Sequence, residues 1–195
     1  QLCDINSSMF SNVKYLLTGG DVLSPKHIKK VMQDNPNLKV INGYGPTENT
    51  TFTCCFNIDK VYSSGIPIGY PVSGTTCYVV SKFGKLQPIG VPGELWTGGL
   101  GVSRGYVNKP ELTSEKFIKN PFGTGKIYKT GDIGRWTFDG KVQCLGRIDN
   151  QIKLRGLRIE LSEIEDEISK MPGVSSCVVN KITLDNKECL CAYYV

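Results

Sequence analysis

A chain of 195 residues can bury one good core, or one core and the start of another. Its 39% hydrophobic and 21% charged residues are those of an ordinary globular protein, and no apolar run approaches the roughly 18 residues that a membrane span needs. The formal charge of +5 is modest, and its densest piece, residues 26–30, carries no aromatic residues between its lysines, which argues against a nucleic-acid surface.

The first third reads as a βαβ unit. Residues 14–18 form a short apolar strand that ends at Gly19, Gly20 and Asp21. Ser24 and Pro25 then supply an N-cap and a first-turn proline for a helix with Ile28, Val31 and Met32 on one face, stopped by Asn35 and Pro36. Residues 38–41 are the next strand. In open α/β sheets ligands bind at the carboxyl ends of strands, and adjacent strands would bring the Gly19 turn beside the turn that follows.

That second turn, Asn42, Gly43, Tyr44, Gly45, Pro46, Thr47 and Glu48, is the most informative stretch. It places an aromatic face, a hydroxyl and a carboxylate together on a backbone fixed by glycine and proline. Tyr44 can face a base, Thr47 can donate to a phosphate, and Glu48 can hold a hard cation through oxygen.

From residue 66 to residue 145 the pattern changes to short strand-like runs punctuated by Gly and Pro, at 76–80, 93–96, 127–128 and 141–145, and predicts a β-rich subdomain. Asp132 ends a strand-like run at Thr130 and Gly131. The glycine-rich stretch 98–105 lacks the order of a phosphate loop and no clear helix follows its last glycine, so it reads as a structural turn. Beyond Arg147, residues 151–160 alternate around Gly156 as a hairpin. Ser162 and Glu165 form a capping box for a helix burying Ile164, Ile168 and Met171, closed by Pro172 and Gly173. Residues 176–179 and 188–195 complete the strands of a small α+β domain whose boundary lies near Asp149.

The chain starts at Gln1 rather than Met and stops inside an apolar run, so it reads as a fragment, and no leader peptide is visible. Its eight cysteines show no paired C-x-x-C spacing and suit core or strand thiols in a reducing cytoplasm. With His27 as the single histidine, a zinc site has little support.

Four motifs in order carry a resemblance: residues 42–48; Gly93, Glu94 and Leu95 through Arg104, Gly105 and Tyr106; Tyr128, Lys129, Thr130, Gly131 and Asp132; and residues 146–151 through Glu165. Over nearly its whole length the chain resembles the adenylation domains of nonribosomal peptide synthetases, in the superfamily of acyl-CoA synthetases and firefly luciferase. The resemblance implies a partial α/β adenylate-forming fold. Residues 1–148 would be the C-terminal part of the large core, divided into a nucleotide-site piece at 1–65 and a β-rich subdomain at 66–148. Residues 149–195 would be the hinge and an incomplete small domain.

The implied chemistry is activation of an amino acid by ATP and transfer to a phosphopantetheine thiol. Tyr44 would stack on adenine, with the backbone of Gly19, Gly20 and Asp21 on the other side and Asn42, Gly43 and Gly45 shaping the turn. Thr47 would meet the phosphate of the adenylate, Glu48 Mg²⁺, Asp132 the ribose hydroxyls, and Arg147 the ribose or phosphate. Asp149 would be the hinge, Lys153 a catalytic residue brought in by rotation, and Gly156 the point of approach for the pantetheine arm. Cys144 stands where relatives often carry an aromatic residue near the nucleotide. The side-chain pocket would draw on Leu17, Gly19, Gly43, Thr51 and Phe52, two glycines leaving room between apolar walls, which suits valine or another branched aliphatic substrate. Partners would be a peptidyl carrier domain and a condensation domain, with no nucleic acid and no membrane, in the cytoplasm.

The family's phosphate loop and ammonium-binding aspartate would lie upstream and its adenylation lysine downstream, so this stretch alone should activate amino acids poorly. An acyl-CoA ligase or a non-catalytic nucleotide-binding piece are the alternative readings.

Overall fold

The computed structural model describes residues 2–63, 65–149, 151–154, 157–184 and 187–195. The chain separates into two compact units, Gln1–Ile148 and Asp149–Val195.

The first unit opens with a short helix α1 (Leu2–Asn6), strand β1 (Tyr15–Gly19), helix α2 (Pro25–Asp34) and strand β2 (Lys39–Tyr44). Pro25 at the first turn costs α2 no hydrogen bond, and β1 pairs parallel to β2 with Gly19 opposite Gly43. The turns after Gly19 and after Tyr44 therefore leave neighbouring strand ends. Strands β3 (Cys54–Asn57) and β4 (Tyr70–Pro71) extend the sheet antiparallel, in the order β1-β2-β3-β4. Ile28 and Val31 of α2 pack under it against Val40, Phe56, Ile58 and Ile66, with Met32 at the margin.

A second sheet holds β5 (Thr75–Val80), β6 (Gly93–Gly99), β7 (Phe117–Lys119), β8 (Lys126–Trp136) and β9 (Val142–Arg147), in the order β5-β6-β8-β7 with β9 also on β8. Its core includes Cys77, Val79, Leu95 and Val142 on one side and Val80, Trp96 and Ile127 on another. Two features depart from the sequence reading. The run at 127–128 is part of an 11-residue strand, so Asp132 lies within β8 and not at its end. Gly131 at φ +73 and a register shift between Ile133 and Gly134 against β9 absorb the irregularity that glycine suggested would stop the strand. A helix α3 (Pro110–Lys116) also follows the glycine-rich turn after a short gap, burying none of its residues.

The second unit contains a hairpin of β10 (Gln151–Leu154) and β11 (Leu157–Glu160), helix α4 (Leu161–Ser169) and an antiparallel pair β12 (Cys177–Leu184) and β13 (Lys187–Tyr194). The expected capping box is absent from its place. Glu160 occupies the N-cap, so Ser162 already lies within the helix, and Glu165 accepts a 2.7 Å hydrogen bond from the Val179 amide instead. Leu161 is the buried residue of α4, whereas Met171, past the helix end, is 57% exposed.

Candidate functional site

The glycines at the ends of β1 and β2 are required by close approach. A Cβ on Gly19 would sit 1.9 Å from the Gly43 carbonyl oxygen, and one on Gly45 would sit 2.4 Å from the Thr51 carbonyl oxygen. Gly20 adopts φ +88, a conformation that glycine enters without a steric penalty. Asp21 is exposed and its Oδ1 accepts from the Val22 amide at 2.7 Å. Asn42 faces inward: it is buried, and its Nδ2 donates to the Pro67 carbonyl at 2.8 Å, anchoring the strand end.

Tyr44 lies half-buried against the cluster of Cys54, Cys77 and Leu95, with Cys144 beside that cluster. Its hydroxyl donates to Asp132 Oδ2 at 2.5 Å. Asp132 Oδ1 accepts from Arg147 Nη1 at 2.7 Å, and the same nitrogen donates to the Thr130 carbonyl at 3.2 Å. Asp132 and Arg147 face each other across β8 and β9, so the ion pair is a cross-strand pair fixed by register. Glu94 braces the position from the neighbouring strand, accepting from the Trp96 indole at 2.8 Å and from the Gly131 amide at 3.0 Å. Burial, then the charge of Asp132, pushes the Tyr44 phenol well above the usual tyrosine range.

Glu48 is not a surface carboxylate, being only 7% exposed on the 3-10 turn Thr47–Asn49. Its Oε1 accepts from Tyr106 Oη at 2.7 Å and from Tyr128 Oη at 2.9 Å. Thr47 beside it in the chain is exposed. Asn49 secures the turn from below, donating to Thr53 Oγ1 at 2.9 Å and Thr97 Oγ1 at 2.6 Å. Neither tyrosine stood among the expected site residues, although both lie in the motifs that carry the resemblance. Their spacing from Glu48, 58 and 80 positions, gives no local signal.

Among the described residues no group of three or more His, Cys, Asp or Glu side chains could hold a metal ion. One carboxylate next to an exposed threonine nevertheless fits magnesium, which is commonly held by one or two carboxylates with its other positions on water and substrate phosphate. A ribose diol likewise fits Asp132, since a carboxylate has about four lone-pair sites.

The pocket residues gather in part. Phe52 covers Gly43 so closely that a Cβ there would lie 2.4 Å from the ring. The two glycines thus do not open room: Gly19 admits the Gly43 carbonyl and Gly43 admits the Phe52 ring. Leu17 is 53% exposed on β1. Thr51 and Phe52 border a cleft of about 440 Å³ shared with Val72 and Leu100. In the second unit, Asp149 is exposed and its Oδ1 accepts from the Gln151 amide at 3.3 Å. Lys153 is half-buried on β10, opposite Arg158. Gly156 lies outside the described residues.

The family of AMP-binding enzymes matches residues 3–107. The whole chain aligns at 52% identity with gramicidin S synthase 2 of Brevibacillus brevis, covering 4% of that protein, and at 49% with surfactin synthase subunit 2 of Bacillus subtilis, covering 6%. The chain therefore spans a small part of these relatives' length. Among solved structures, a nonribosomal peptide synthetase protein containing adenylation and PCP domains superposes with a TM-score of 0.90 at 32% identity, over 99% of this chain and 40% of that one. An artificially fused adenylation–PCP di-domain from Klebsiella oxytoca gives a TM-score of 0.79 at 26% identity, over 97% of this chain and 37% of that one.

Proposed function

The chain belongs to the AMP-binding enzyme family, and from this premise we propose that it forms the nucleotide side of an amino-acid-activating site in nonribosomal peptide synthesis. The observation that carries the proposal is the placement of Asp132 between the Tyr44 hydroxyl and the Arg147 guanidinium. A ring, a carboxylate and a cation converge there from two sheets, as a base, a ribose and a phosphate require. The 52% identity to gramicidin S synthase 2 favours an amino acid over other carboxylic acids as the group activated.

In the proposed reaction a carboxylate oxygen of the amino acid attacks the α-phosphorus of ATP and the bond to pyrophosphate breaks. A phosphopantetheine thiol then attacks the aminoacyl carbonyl and AMP departs. Tyr44 offers its face to adenine, Asp132 accepts from the ribose hydroxyls, and Arg147 holds Asp132 in place while facing the ribose or phosphate. Thr47 donates to the phosphate that stays with the adenylate. Glu48 would hold Mg²⁺, which supplies charge neutralisation as pyrophosphate leaves.

The carrier domain is the natural thiol donor, since the solved relative contains adenylation and PCP domains. Asp149, at the boundary of the two units, is proposed as the hinge, and Lys153 and Gly156 as residues that reach the cleft and the pantetheine arm after rotation. Leu17, Thr51 and Phe52 offer apolar or small surfaces and no charge, which suits a branched aliphatic substrate, valine first.

The test is amino-acid-dependent exchange of labelled pyrophosphate into ATP, measured on the full-length protein that carries this chain. Exchange driven by an aliphatic amino acid and abolished by Asp132→Ala is the expected result. Exchange driven only by acids lacking an amine would replace the proposal with acyl-CoA ligase chemistry.

A further inference from the structure

The glycine-rich stretch 98–105 and the residue that follows it do more than turn the chain. The Ser103 amide donates to the Glu48 carbonyl at 2.8 Å, and Thr50 Oγ1 donates to the Gly101 carbonyl at 2.8 Å. The turn is thereby tied to this one loop at the Glu48 carbonyl and again, two residues on, through the Thr50 hydroxyl. Tyr106 then projects back to the carboxylate.

Tyr106 is itself held from three directions. Its amide donates to Thr113 Oγ1 of α3 at 2.9 Å, and Gly105, at φ +143, leaves no room for a side chain because a Cβ would meet Thr113 at 2.3 Å. Its ring meets Phe117 edge-on, with centroids 5.3 Å apart, and Phe117 packs on Tyr128 at 4.9 Å. Tyr128 is 1% exposed. The two hydroxyls, 3.3 Å from each other, converge on Oε1 of Glu48. Two short donors on one oxygen fix both the rotation and the depth of a carboxylate, and charge-assisted hydrogen bonds are about twice as strong as neutral ones.

We propose that Tyr106 and Tyr128 are positioning residues that clamp the Glu48 carboxylate in the orientation needed to hold a divalent cation. The inference rests on the reading of Glu48 as the Mg²⁺ residue and deepens it. Neither tyrosine need touch substrate. The clamp uses elements that a turn carboxylate alone would not require: Tyr128 comes from the buried strand β8, and Tyr106 follows the 98–105 loop and is held by α3, so that both hydroxyls meet at one oxygen.

Two measurements on the full-length protein test the clamp. The first is the Mg²⁺ concentration that half-saturates pyrophosphate exchange. The second, independent of turnover, is the rise in melting temperature that ATP with Mg²⁺ produces over ATP with chelator.

Tyr106→Phe keeps the ring and removes the hydroxyl. It is expected to raise the half-saturating Mg²⁺ concentration about tenfold, the scale of one hydrogen bond to a charged group, to shrink the Mg²⁺-dependent thermal shift, and to leave the KM for the amino acid unchanged. Tyr128→Phe should act in the same direction, and the double variant should fall short of the product of the two, because both act on one oxygen. If Tyr128→Phe fails to fold, Tyr106→Phe alone decides.

Folded variants with a wild-type Mg²⁺ titration and thermal shift overturn the clamp, as does lost exchange with unchanged Mg²⁺ dependence. Glu48→Gln separates the two levels. Impaired exchange in Glu48→Gln with normal tyrosine variants removes only the clamp, whereas normal exchange in Glu48→Gln removes the metal reading beneath it.

Discussion

Tyr44 and Asp132 lie 88 positions apart in sequence, and a 2.5 Å hydrogen bond from phenol to carboxylate joins them. Tyr44 ends a strand of the first sheet and Asp132 lies within a strand of the second. The contact is therefore both an inter-sheet tie and the geometric centre of the proposed nucleotide site. Because Arg147 holds the other oxygen of Asp132, both oxygens of the carboxylate are fixed by donors of the protein.

The tie should make stability depend on alkaline pH. Burial first, then Asp132, raises the Tyr44 phenol, and burial, Tyr128 and Glu48 raise that of Tyr106. In the unfolded chain both ionise near pH 10, while in the folded protein they keep their protons. Their contribution is fully present below pH 10 and is lost as pH rises beyond it toward the folded values. Urea midpoints measured from about pH 8 to about pH 11 should fall, and Tyr44→Phe should remove part of that slope. An identical slope in Tyr44→Phe would dissociate the phenol from the effect.

Asp132→Asn replaces a charged acceptor with a neutral one while retaining shape. Side-chain exposures of 19% for Arg147 and 15% for Asp132 place the pair well inside the screened surface, where a hydrogen bond to a charged group is worth about 1.5 to 3 kcal/mol. A loss of stability on that scale is expected in urea titrations, together with weaker AMP binding by calorimetry. Unchanged AMP affinity in the folded variant would remove Asp132 from ribose recognition.

Much of the first unit could be read from local signals. The βαβ unit showed itself because Gly19, Pro25, Asn35 and Pro36 punctuate it and because Ile28 and Val31 recur at helical spacing. Helix α3 escaped because it buries none of its residues and so has no apolar period to detect. The strand-like run at 127–128 falls short of β8 because glycine interrupts a strand pattern, while the sheet tolerates Gly131 as a left-handed residue and Gly134 through a register shift. Site residues inside motifs were legible as types, but Tyr106 on Glu48 and Phe52 on Gly43 are long-range or ring-on-backbone fits that no spacing encodes.

Gly43→Ala tests the second of those fits. An added Cβ would lie 2.4 Å from a carbon of the Phe52 ring, closer than packed carbons come, so the ring must move. Overpacking of this kind costs about 1 to 3 kcal/mol. The urea midpoint should fall accordingly, and Phe52→Leu in the same chain should recover part of the loss because the shorter side chain clears the methyl group. A Gly43→Ala variant as stable as the parent would mean that Phe52 lies elsewhere in solution.

The same corner of the fold holds the proposed substrate pocket, which makes substrate choice a test of it. With the space over Gly43 taken by Phe52, the side chain of a bound amino acid would meet the Phe52 ring and not an open glycine floor. Leu17 on β1 and Thr51 beside Phe52 add an aliphatic and a small β-branched surface, and none of the three carries a charge. A compact branched side chain is the expected occupant, so exchange by the full-length protein should be fastest with valine, with isoleucine or leucine behind. One methylene in an apolar pocket changes binding by about 1 to 3 kcal/mol, so the preference should be partial. Phe52→Ala should shift it toward larger side chains by vacating the ring's volume. Exchange that favours an acidic, basic or aromatic amino acid in the parent protein would overturn the assignment of these residues to the pocket.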